Sequence, residues 1–127
     1  MPTVDRDVAE RIARDWLDAW NAHDARRVVA HFADDVSVAS PLIELRYTGS
    51  GGRLQGRDAV LAYYEAGLEL FPDLRFELVE VLRGVDEVTI VYRNHRGVLV
   101  AEALALGADG RVVAVRVGYG EEPGDRP

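Results

Sequence analysis

The chain contains no cysteine. That excludes disulfide staples, thiolate nucleophiles and cysteine-ligated metals, although it selects no compartment. Basic residues are in deficit: 15 Lys and Arg stand against 22 Asp and Glu, for a formal net charge of -7. Such a surface repels phosphate backbones and anionic lipid, so no nucleic acid and no membrane is expected as a partner. The opening residues, Met-Pro-Thr-Val-Asp-Arg-Asp, hold no apolar signal core, and no run reaches transmembrane length. A cytoplasmic protein is the expectation. There is no Gly-x-Ser-x-Gly elbow, P-loop or dinucleotide fingerprint, and no cofactor is expected. His31 and Asp35 stand four apart, but that spacing is commoner at helix ends, and without a third ligand no metal is expected.

What the chain does have suits one domain with a real core: 127 residues, 48% of them hydrophobic. Residues 1–120 read as that domain and 121–127 as a polar tail. Val8, Ile12, Trp16 and Trp20 recur every four residues, with Ala9, Ala13 and Leu17 beside them, which predicts a helix over 4–21. Asp24 is a good N-cap for a short second helix over 25–32. Residues 36–40 alternate like a strand that stops at Pro41. Residues 42–47 read as a further strand. Gly49, Gly51, Gly52 and Gly56 then mark a mobile loop, either a lid or plain surface. A third helix follows over 57–70, its apolar line Val60, Tyr64, Leu68 and Phe71. Four strand-like runs, 75–83, 87–94, 98–106 and 111–119, are joined by short turns and form an antiparallel meander. Helices at one end and a sheet at the other give an α+β fold: three N-terminal helices packed on a curved, mainly antiparallel sheet.

The run Val98–Leu106 is apolar except for Glu102. Period two puts Val100 and Leu104 on the same face as Glu102. A carboxylate on an apolar face must be paired, protonated or wet. It either projects into a cavity and works as an acid, a base or a hydrogen-bond donor, or sits on an edge strand beside an arginine. Its apolar neighbours favour the cavity. Trp16, Tyr64, Tyr92 and Tyr119 are aromatic candidates for that cavity, with Tyr64 and Tyr119 preferred because a buried tyrosine seeks a hydrogen-bond partner. Trp20 reads as plain core. Asn94 shares a strand face with Tyr92 and reaches either the cavity mouth or a solvated hairpin end.

The order of elements, together with WLDAWNAHD at 16–24, FADDV at 32–36, GRDAVLAYY at 56–64, FPDLRF at 71–76 and GRVVAVRVGYG at 110–120, resembles the nuclear transport factor 2-like superfamily. The nearest branches are the SnoaL-like polyketide cyclases and the ketosteroid isomerases. The resemblance implies a cone-shaped α+β barrel. It also implies that Glu102 holds the place of a protonated aspartic acid that donates to a substrate oxygen in the isomerases. Tyr64 matches a supporting tyrosine and Tyr119 an aromatic on the last strand. Ser40, before Pro41, stands where the isomerases have their catalytic base, and Trp16 where they have an oxyanion-hole tyrosine. A serine without a neighbouring base does not remove a proton from carbon at neutral pH, so steroid isomerisation is not expected.

Two functions remain open. One is a pocket enzyme that acts on an apolar cyclic or polyketide-like molecule, with Glu102 and Tyr64 as catalytic groups and Trp16, Ser40, Tyr92, Asn94 and Tyr119 binding substrate. The other is a non-catalytic ligand-binding or dimerisation domain; epoxide hydrolysis is weaker, since it needs a second carboxylate. Thr89, Val91, Arg93, Leu99, Ala101, Ala103 and Arg116 would form a half-apolar outer sheet face, which suits a homodimer.

Overall fold

In the computed structural model, which describes residues 3–121, helix α1 (Arg6–Asn21) starts at Asp5, whose side chain accepts from the Asp7 N–H. Its buried line is Ala9, Ala13, Trp16, Ala19 and Trp20. The stripe expected at Val8 and Ile12 is displaced by one position: the alanines face the sheet because their small size lets the helix approach it, and Val8 is left 37% exposed. Helix α2 (Ala25–Val29) is capped by Asp24, which accepts from the Arg27 N–H.

Strand β1 spans Phe32–Ala39. This corrects the expected helix end at residues 30–35. Phe32 opens the strand opposite Val112 and is 1% exposed, and His31 and Asp35 belong to no helix end. The segment read as a strand over 42–47 is also corrected. It is helix α3 (Pro41–Arg46), with Ser40 as N-cap accepting from the Leu42 N–H and Pro41 at the first turn.

The glycine cluster follows α3 directly. It closes into a turn around Glu44, whose two oxygens accept from the Gly49 and Gly51 N–H groups at 2.8 and 2.7 Å. Those two bonds, in that order, hold the exposed Glu44 carboxyl below the usual carboxylate range. Gly49, Gly51 and Gly52 take positive φ of 94°, 71° and 74°, which other residues rarely adopt.

Strand β2 (Arg53–Gln55) leads into α4 (Arg57–Leu70), which buries Val60, Tyr63 and Tyr64. The meander is β3 (Glu77–Gly84), β4 (Glu87–Arg93), β5 (Leu99–Leu106) and β6 (Val112–Tyr119). The six strands form one sheet in the order β2-β1-β6-β5-β4-β3. All neighbours are antiparallel except β1 and β6, which run parallel and are joined by the long stretch from α3 through β5. Helix α1 packs on β3 and β4, and α4 on β1, β2 and α2. The helices cover one face of the curved sheet and leave the other open, a cone-shaped α+β barrel. Only Glu121 of the expected tail lies within the described residues, and among these no helix is long and apolar enough to cross a membrane.

Candidate functional site

A cavity opens between the sheet, α1, α3 and α4. It encloses about 90 Å³, or about 560 Å³ with its open mouth counted, a size for a compact ligand. Its walls are chiefly apolar and aromatic, with Trp20, Tyr63, Tyr64, Phe76 and Val117 among them.

Glu102 lines this cavity at 5% exposure. The register explains its partner. Glu102 faces Ile90 across the β5–β4 pair and Tyr92 faces Val100, so Glu102 and Tyr92 are diagonal neighbours on the inner face. The Tyr92 hydroxyl donates to Glu102 Oε2 at 2.7 Å. No other hydrogen bond and no ion pair engages the carboxyl among the described residues. Burial therefore pushes its pKa up from 4.5 to about 7, with the Tyr92 bond pulling the other way. Near neutral pH the group is close to half protonated, the state an acid/base catalyst needs.

The surrounding tyrosines stay protonated. Burial, reinforced by the Glu102 charge, raises Tyr64 and Tyr92 well above 10. Burial and then the Glu102 charge push Tyr119 up to about 12, and a hydrogen bond with Ser40 opposes them. Tyr64 and Tyr119 both line the cavity, each with a hydroxyl that keeps its proton.

The structure brings Glu102, Tyr64, Tyr92, Tyr119 and Ser40 together around the cavity. Two candidates fall elsewhere. Trp16 does not line it. That ring packs behind the wall, 5.0 Å from Tyr92 and 5.7 Å from Phe76, and closes the core. Asn94 sits at the β4–β5 turn, where its Oδ1 accepts from the N–H groups of Arg96 and Val98 at 2.9 and 3.0 Å. The turn needs that acceptor, so the side chain is not free to reach the mouth.

Other wall residues were missed. Trp20, read as core, lines the cavity with its indole N–H buried and unpartnered. Tyr63 is Tyr64's helix neighbour and shows no separate pattern. Arg46 also lines the mouth, a placement that depends on α3 being helical.

A curved sheet closed by helices around one apolar cavity defines the class of nuclear transport factor 2-like folds. The family model described as a SnoaL-like domain matches residues 13–119, and the chain belongs to that family. It is similar to the crystal structure of a SnoaL-like protein of unknown function from Burkholderia thailandensis. That likeness has 39% identity and a TM-score of 0.89, and covers 93% of this chain and 98% of the other. It also resembles a proposed ketosteroid isomerase from Kribbella flavida, at 19% identity and TM-score 0.71, over 95% and 84% of the two chains. A proposed polyketide cyclase from Sinorhizobium meliloti aligns at 19% identity and TM-score 0.69, over 85% and 94%. These last two likenesses carry the fold alone. No curated protein matches the sequence.

Proposed function

We propose that this protein binds a compact, apolar, cyclic or polyketide-like molecule with a carbonyl or hydroxyl oxygen, and that Glu102 works on it as an acid/base or hydrogen-bonding group. The observation that carries this reading is a single carboxyl in an apolar cavity, unpaired by any cation among the described residues and tuned to about 7. Tyr92 holds Oε2 and thereby orients the carboxyl, leaving the other oxygen for ligand. As the carboxylate, Glu102 would take a proton from a carbon next to a ligand carbonyl; as the acid, it would donate to the ligand oxygen. Tyr64 and Tyr119 are the nearby candidates to donate to a developing oxyanion.

Ser40 supplies no second acid/base group, since its hydroxyl caps α3 and meets Tyr119. That favours, as a second reading, a binding protein in which Glu102 only hydrogen-bonds. A thermal-shift screen with cyclic ketones, lactones and epoxides tests both readings, because a ligand of the folded state raises Tm. Hits whose shift disappears in Glu102→Leu support the site. Turnover lost in Glu102→Gln selects the enzyme, and binding and turnover indifferent to both variants would remove Glu102 from the account.

We also propose that the outer sheet face pairs two copies. Val91, Ala101 and Gly118 stand in one cross-strand row, and Thr89, Ala103 and Arg116 in the next. These mostly small residues leave that face without bulky charged side chains apart from Arg116, with Leu99 40% exposed at its edge.

A further inference from the structure

Arg46 ends α3 at the cavity mouth. Its guanidinium lies over the Tyr63 ring, 4.3 Å from its centroid. It belongs to none of the ion pairs among the described residues. Glu44, the acid nearest to it on its own helix, has both oxygens committed to the glycine turn. Glu102, the acid of the cavity, owes its raised pKa to burial, opposed only by the Tyr92 hydrogen bond, with no arginine acting on it. The charge of Arg46 is thus unneutralised by either carboxylate.

The slot that holds the guanidinium is built into α4. Gly67 lies one turn after Tyr63 on the same helix, and a Cβ placed there would come within 3.1 Å of Arg46 Nη1. Gly67 has no positive φ, so its backbone conformation does not require glycine. Glycine inside a helix is disfavoured relative to alanine, and here its absent side chain leaves the room that the guanidinium occupies. An aromatic face below and bare backbone beside it fix a planar cation at the rim of an apolar cavity.

We infer that the ligand of this cavity carries a carboxylate, which Arg46 binds at the mouth while the apolar ring lies inside. The inference rests on the cavity being a ligand site, as proposed above, and narrows its ligand to small cyclic carboxylic acids. A guanidinium pairs with a carboxylate by two parallel N–H···O bonds. Arg46 is the one cation among the described residues that line the cavity, so it is the group that favours an acid over its uncharged amide of nearly the same shape.

The test compares cyclohexanecarboxylate with cyclohexanecarboxamide by calorimetric titration near pH 6, where the probe acid is ionised. The wild-type protein is expected to bind the acid about tenfold more tightly than the amide, as one charge-assisted pair provides. Arg46→Gln should erase that preference and leave the amide affinity nearly unchanged. Gly67→Ala keeps the charge and helps the helix, yet it should weaken acid binding by displacing the guanidinium. Equal affinity for both probes, or a preference that survives Arg46→Gln, would overturn the inference. So would failure of both probes to bind; cyclohexanone that still raises Tm in the wild type but not in Glu102→Leu would then leave the cavity reading standing without it.

Discussion

The Tyr92 hydroxyl meets Glu102 Oε2 at 2.7 Å inside an apolar wall, and the two residues lie on adjacent strands, two residues off direct opposition. The bond fixes the carboxyl's orientation. It also limits how far burial can raise its pKa.

Stability should therefore depend on pH through this one group. The unfolded chain releases the Glu102 proton near 4.5 and the folded chain near 7. Between those values the folded state holds more protons, so stability falls as pH rises. The favourable contribution is complete below 4.5 and lost once the pH has passed about 7. At about 1.4 kcal/mol per pH unit the loss is on the order of 3 kcal/mol. Urea denaturation of wild type and Glu102→Gln should give similar stabilities at acid pH. The variant should gain on wild type as the pH rises to about 7, because its amide does not ionise and still accepts from Tyr92.

Tyr92→Phe removes the one bond that favours the charged form. The Glu102 pKa should rise further, and stability should drop by about 1 kcal/mol at acid pH, with a larger loss above neutrality. Denaturant melts at both pH extremes check this. An unchanged or lowered pKa would mean that the bond does not operate in solution.

Ser40→Ala should destabilise by about 1 kcal/mol, the usual effect of losing an N-cap, since its hydroxyl accepts from the Leu42 N–H at the start of α3. Ser40→Gly should cost only a few tenths of a kcal/mol, because glycine also serves as an N-cap. Thermal melts of the two variants separate capping from any role in binding.

Much of this site was legible in the sequence. Glu102 stood out because its period-two neighbours are apolar, and the register of β4 and β5 makes Tyr92 its diagonal partner. Other parts were hidden in tertiary structure. Ser40 and Pro41 together form a helix start, but the apolar run after them matched a strand equally well over so few residues. Trp16 and Trp20 lie one turn apart on the same buried face. Only the placement of α1 on the sheet makes Trp20 a cavity wall and Trp16 the packing behind it. Arg46 acquires meaning from Tyr63 and Gly67 on a helix distant in sequence, a juxtaposition no local pattern records.

The proposed dimer gives a mass twice 14.0 kDa in sedimentation equilibrium. Ala103→Glu, in the centre of the outer face, places like charges opposite each other across the two-fold contact and should yield monomer. A wild-type monomer at all accessible concentrations would refute the interface.

The central claim is that Glu102 is a buried, protonatable carboxyl near neutral pH, and a carbon-13 NMR titration of its side-chain carboxyl tests that most directly. The account expects a midpoint of about 7, assigned by the signal's absence in Glu102→Gln. A midpoint near the ordinary 4.5 would contradict it and place Glu102 in water or beside a cation.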